Sequence, residues 1–227
     1  MKYFVKFLMV LALMAGCEGE ETTLRDSGSA YFPLNKGIYQ VYSVTETLYL
    51  GSITPEMSTY ELMTEVVDSI ASAGGYLYVI NRSRRQSDTD PWEPLDTWSG
   101  RKNSREAIVS EGNIPFLKVI FPVREGTRWD GNTFNTLGED EYELRITAQP
   151  YVVGGMNFEH TLTIEQERNE DFVVFNDTRR EVYALDVGLV YRETIQYSYC
   201  TDDNCLGQQK IVSGIEVKQV IKQYGKY

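Results

Sequence analysis

A chain of 227 residues with 33 acids against 22 lysines and arginines, net charge −11, is poorly suited to gripping a nucleic-acid backbone, and no nucleic-acid partner is expected. The length suffices for one substantial hydrophobic core. A single histidine, His160, excludes His-rich zinc sites, and no Walker-type loop, Gly-x-Gly-x-x-Gly or Gly-x-Ser-x-Gly is present.

In chain order, Met1 to Lys6 form a short basic start and Phe7 to Ala15 an apolar run far below the roughly 20 residues of a spanning helix. The run ends at Gly16-Cys17, followed at once by Glu18-Gly19-Glu20-Glu21. Small residues before a cut let the backbone lie extended in a peptidase cleft, and a thiol after it can carry diacylglycerol. Leu13-Met14-Ala15-Gly16-Cys17 resembles the bacterial lipoprotein processing box, with Met14 where leucine is usual. Residues 1–16 are therefore expected to be a signal peptide and Cys17 the lipidation site, the membrane being a partner through that lipid. Each buried methylene of an acyl chain adds about 0.8 kcal/mol to the anchorage. Cleavage removes Lys2 and Lys6 and no acid, which takes the net charge of −11 to −13.

Residues 17–30 read as a flexible acidic tether, and residues 31–227 as a single β-rich domain. Strand-like alternation starts at Ile38-Tyr39 and runs to Leu50. Tyr60 to Ala73 could be a helix by length, but its Thr, Val and Ile content and the Gly74-Gly75 link to Tyr76–Ile80 favour a hairpin. Asp88 to Asn103 reads as a polar loop holding Trp92 and Trp98. Strands are expected at Ile114–Val123, Tyr142–Thr147, Phe158–Glu165, Phe172–Phe175, Arg180–Ala184 and Gly188–Tyr199, the last paired with Gln208–Tyr224. Short strands with regular turn punctuation give an all-β fold: an antiparallel meander forming a half-barrel, a calycin-like barrel or a sandwich.

Phe32-Pro33-Leu34-Asn35-Lys36-Gly37 is echoed by Phe121-Pro122-Val123-Arg124-Glu125-Gly126, each followed by an aromatic, Tyr39 or Trp129. A chain turning at a glycine of positive φ and dropping an aromatic onto the core accounts for both. Tyr31-Phe32-Pro33-Leu34-Asn35-Lys36-Gly37 after a lipidated cysteine, with the later Val182 to Glu193 run, resembles exported lipoproteins of the Bacteroidota. That resemblance implies an antiparallel β fold and supplies no catalytic residues. Glu18, Glu20 and Glu21 also resemble the signal that sends such lipoproteins to the outer face of the outer membrane.

Chemistry-bearing residues are sparse. Cys200 and Cys205 bracket Thr201-Asp202-Asp203-Asn204 and are expected to form a disulfide at a hairpin tip, worth about 2 kcal/mol for so small a loop. His160 sits in an alternating strand, and Glu165 with Glu167 reads as a solvated edge rather than a glycosidase pair. Asp88 with Asp90, or Asp202, Asp203 and Asn204, could touch calcium, but neither set fits an EF-hand loop. No metal and no cofactor is expected. Trp92 and Trp98 are the candidate ligand contacts, since a loop tryptophan can stack on a sugar ring or anchor a protein; the alternative is that the loop folds over the sheet and buries both rings as a lid. The sequence thus reads as an outer-membrane lipoprotein at the cell surface or on the periplasmic face. It would serve as a binding or accessory module without catalytic activity, with an envelope protein or glycan as partner. A structural subunit of an outer-membrane complex and a carrier of apolar molecules are the rival readings; a carrier predicts a continuous apolar cavity, a surface binder a solid core.

Overall fold

The computed structural model describes residues 27–51, 53–72, 75–171 and 173–227. The expected signal peptide, the expected lipidation site Cys17, residues 18–26 of the expected tether, Ala73 and Gly74 of the expected hairpin and Phe172 lie outside them. Twelve strands follow one another: β1 Ile38–Leu50, β2 Glu56–Ser72, β3 Gly75–Arg85, β4 Glu93–Lys102, β5 Glu106–Glu111 and β6 Ile114–Ile120. Then come β7 Arg128–Asp130, β8 Glu141–Val153, β9 Met156–Glu170, β10 Phe175–Ala184, β11 Gly188–Tyr199 and β12 Ile211–Lys226. All join one antiparallel sheet in the order β6-β5-β4-β3-β2-β1-β12-β11-β10-β9-β8-β7.

The sheet curls into a nearly closed barrel, and its two free edges, β6 and β7, meet at a seam. Leu117 N donates to Gly131 O at 2.8 Å, Trp129 Nε1 to Leu117 O at 2.9 Å and Asn135 Nδ2 to Pro115 O at 2.9 Å. These bonds occupy edge groups that would otherwise invite pairing with another chain. The core on the inner face includes Tyr142, Leu144, Leu162, Ile164 and Val119, each almost fully buried. Each such side chain removed from water contributes about 1.5–3 kcal/mol.

The strand order divides at the β1–β12 pair into β1–β6 and β7–β12, and the Phe-Pro-Gly echo precedes the first strand of each half. Gly37 (φ 85°) donates its N–H to Val66 O of β2 at 2.8 Å; Gly126 (φ 79°) donates to Leu144 O of β8 at 2.7 Å. Each glycine thus turns the chain and bonds the second strand of its own half, where a β-carbon would be strained. The aromatics diverge: Trp129 is buried in the core, whereas Tyr39 stacks on Tyr227 with ring centroids 4.7 Å apart.

Antiparallel connections alternate between the two ends of the barrel. The chain enters at one end, shared by the β2–β3, β4–β5, β6–β7, β8–β9 and β10–β11 connections and the C-terminus. Here a single 3-10 turn, Ser29–Tyr31, leads into Phe32 and Leu34, which plug the barrel against Val66, Ala107 and Val109. Lys102 Nζ clamps the plug by donating to Ser29 O at 2.9 Å and Phe32 O at 2.7 Å.

The sequence reading needs correction in three places. Asp88–Asn103 is not a loop: Glu93–Lys102 is β4, laddered to β3 from Leu77↔Arg101 to Arg84↔Glu93. Its inner face carries Asp96, Trp98 and Lys102, so the apolar alternation that signals a strand is missing. The expected strand at Phe172–Phe175 begins only at Phe175. That at Ile114–Val123 stops at Ile120, because Pro122 lacks a ladder donor and the chain crosses to the seam.

Candidate functional site in the barrel interior

Period-two alternation points Gln40 and Tyr42 of β1, Leu62, Thr64 and Val66 of β2, Ile80 and Arg82 of β3 and Trp98 of β4 into the barrel. With Phe32 and Leu34 of the plug they line a cavity of about 110 Å3 that is partly open to solvent. That is close to the size of an engineered apolar cavity of about 150 Å3 in another protein that admits one benzene.

The walls are largely apolar but one side is ionic. Lys118 Nζ lies 2.6 Å from Glu181 Oε1 and 3.1 Å from Glu111 Oε1, and Arg192 Nη1 lies 3.2 Å from Glu111 Oε2. Arg192 Nε is 3.6 Å from Glu181 Oε1, and Tyr183 Oη donates to Glu181 Oε2 at 2.6 Å. The side chains of Lys118 and Glu181 retain 5% and 1% of their exposure, so these charges depend on one another rather than on water. Burial alone would raise the Glu111 carboxyl, but Arg192 and Lys118 overcome it and hold it at about 2. Burial acts to lower the Lys118 ammonium, yet Glu111 and Glu181 leave it raised. Glu111 raises the Arg192 guanidinium, against burial. Burial pushes the Tyr183 phenol well up, reinforced by Glu181. At neutral pH Glu111 is thus a carboxylate, Lys118 and Arg192 are cations and Tyr183 is a neutral donor, and a carboxyl at about 2 is a weak base.

Arg82 is less completely paired. Its Nη1 donates to Asp96 at 3.1 and 2.9 Å and its guanidinium lies 3.8 Å above the Trp98 ring. Burial lowers its pKa, and among the described residues its buried Nε finds no acceptor. An unmatched donor beside a cavity defines where an occupant's acceptor would be most stabilised.

The structure separates the two tryptophans. Trp98 is half-buried and faces the cavity, whereas Trp92 precedes β4 and lies under Arg85, 4.4 Å from its ring centroid. Arg85 Nε donates to Glu61 at 2.7 Å, so its ion pair points away from the chamber. Cys200 and Cys205 are disulfide-bonded in the β11–β12 connection. Asp202 stands beside them, but the bond leaves no thiolate to offer a metal. Asp90 accepts from Ser87 Oγ at 2.7 Å and Asp88 O from Arg85 Nη1 at 2.8 Å. His160 is exposed and does not line the cavity, and Glu165 pairs with Arg145 on the outer surface.

Sequence reasoning did not single out Arg82, Glu111, Lys118, Glu181 or Arg192, which lie on five strands and converge only when the sheet closes. The one available signal was a charge inside an apolar run: Lys118 in Ile114-Pro115-Phe116-Leu117-Lys118-Val119-Ile120, and Glu181 before Val182-Tyr183-Ala184.

No family model and no curated protein matches the chain. Among solved structures it is similar to a protein of Bacteroides fragilis assigned as exported, with a YmcC-like fold. The two share 14% identity with a TM-score of 0.44, covering 86% of this chain and 98% of that one. It is also similar to a protein of Parabacteroides distasonis assigned as a lipoprotein, at 10% identity and a TM-score of 0.43, covering 86% and 98%.

Proposed function

We propose that the chain is a non-catalytic binding module of the cell envelope. In this reading lipid on Cys17 holds it to the outer membrane, and the barrel chamber takes a ring-sized molecule with an apolar body and a hydrogen-bond-accepting head. The envelope part rests on the basic start, the short apolar run and Gly16-Cys17. The binding part rests on one observation: a cavity of about 110 Å3 beside Trp98 with the unmatched Arg82 Nε at its wall. The ionic side of the chamber favours a polar-headed occupant over a wholly apolar one, which would remove water from charges without replacing its hydrogen bonds. Lack of catalysis fits a charge group in which each carboxylate is already engaged by a cation.

Benzoate and toluene, alike in ring and different in head, test the reading on the Cys17→Ala protein by amide chemical-shift mapping. Benzoate should move the signals of Arg82, Trp98 and Tyr42, and Arg82→Met should weaken it at least about tenfold, the worth of a charge-assisted hydrogen bond. Toluene should bind more weakly and respond little to that substitution. Shifts confined to the outer surface, or none with either probe, would refute chamber binding.

A further inference from the structure

We propose that the barrel stands on the bilayer through its entry end, with the β2–β3 hairpin touching lipid; this rests on the Cys17 anchor and adds an orientation to it. The tether's point of attachment fixes the geometry. The first described residue, Ser27, accepts a hydrogen bond from Val123 N of the β6–β7 connection at 3.0 Å, so the chain joins the barrel at the entry end. Ten residue steps separate Cys17 from Ser27, a reach of about 35 Å at most and about 17 Å on average for a coil. The opposite end lies farther by the length of strands such as the 17-residue β2, about 50 Å before tilt.

The hairpin projecting from that end is unlike the rest of the surface. β1 pairs with β2 only as far as Tyr39↔Glu65, and β4 reaches β3 only at Leu77↔Arg101. Beyond those points Ala71 and Ser72 are laddered only to Tyr76 and Gly75 of the same hairpin, through Ala71↔Tyr76 and Ser72↔Gly75. Ile70 and Tyr76 are 54% and 56% exposed, and Leu77 36%. From Ser69 to Asn81 no residue is charged, in a chain that is 24% charged. Charge resumes at the base, where Lys36 Nζ lies 3.4 Å from Asp68. The hairpin therefore reaches beyond the acidic body with an uncharged tip, avoiding the desolvation that acids would pay at a bilayer. At the same end the Tyr39–Tyr227 stack, with Tyr227 77% exposed, offers amphipathic rings suited to a membrane–water interface. A zwitterionic surface fits best, because the protein's charge repels an anionic one.

The test uses the full lipidated protein in phosphatidylcholine vesicles, with an environment-sensitive fluorophore on Tyr76→Cys or, at the far end, on Leu137→Cys. Cys17 is acylated and Cys200 bonded to Cys205, so each label is unique. The label at 76 should shift to the blue and be quenched by doxyl-lipid, the label at 137 should not, and adding I70D and L77D should cut the quenching at 76 at least threefold while the protein still floats with the vesicles. Equal aqueous accessibility of both labels on protein that floats would overturn the orientation and leave the anchor standing. Failure to float would overturn both. Shielding at 76 without vesicles, in Cys17→Ala protein of dimeric mass, would overturn lipid contact in favour of a second copy of the chain.

Discussion

Replacing Lys118 by methionine removes the central cation of the chamber while nearly preserving its volume. Glu181, with 1% of its side-chain surface exposed, then loses a 2.6 Å partner and keeps Tyr183 Oη and the longer contact to Arg192. Glu111 loses one of two cations. Stranding one partner of a buried pair costs about 3–5 kcal/mol, whereas replacing both can be nearly neutral. For a chain of this size each kcal/mol lowers Tm by about 2–4 °C, so K118M should melt about 6–20 °C earlier. The double variant K118M/E181Q should be more stable than the sum of the singles by at least about 1 kcal/mol. Urea unfolding of the Cys17→Ala background, followed by circular dichroism, measures all four corners of the cycle. A cost below about 1 kcal/mol for K118M, or strict additivity, would refute the view that these charges depend on one another.

Three further outcomes follow from the same geometry. The Glu111 carboxyl is held at about 2, below its unfolded value, so its stabilisation is complete above about pH 4.5 and is lost as pH falls toward 2. That is about 3 kcal/mol by linkage, and Glu111→Gln should flatten this part of the acid stability profile; an unchanged slope would contradict the assignment. Reducing Cys200–Cys205 returns only a short loop's worth of entropy to the unfolded chain and should lower stability by about 2 kcal/mol without unfolding the barrel, as read by thermal melts with and without a phosphine reductant. Gly131 accepts the seam bond from Leu117 N, and a β-carbon there would overlap the Tyr142 ring, so Gly131→Ala should cost about 1–3 kcal/mol and speed amide exchange at Leu117; exchange unchanged would argue against a seam held at this point.

How much was legible in the sequence depended on which face of a strand meets apolar surroundings. β11 was legible at both ends, Gly188 to Tyr199, because both of its faces meet apolar surroundings: Leu189 lines the chamber, while Val190 and Tyr191 pack in a second apolar cluster, Tyr191 beside Tyr151 of the β8–β9 hairpin. β4 was missed because its inner face meets charges: Asp96 answers Arg82, and Lys102 caps the plug's carbonyls. Period-two analysis presumes an apolar interior, and this interior is partly ionic. For the same reason the candidate site was invisible in one dimension. Glu111 and Arg192 lie 81 positions apart and meet only through the closure of a twelve-stranded sheet. Trp98 was singled out as a ligand contact on residue type, but its placement inside the barrel required the register Ile80↔Trp98.

The account depends most on a lipid-bearing Cys17, and intact mass spectrometry of the protein extracted from membranes tests it most directly. The predicted result is a chain starting at Cys17 and heavier than its sequence by a diacylglyceryl group, with or without a third acyl chain. A mass matching an unmodified chain, recovered from the aqueous fraction, would contradict it.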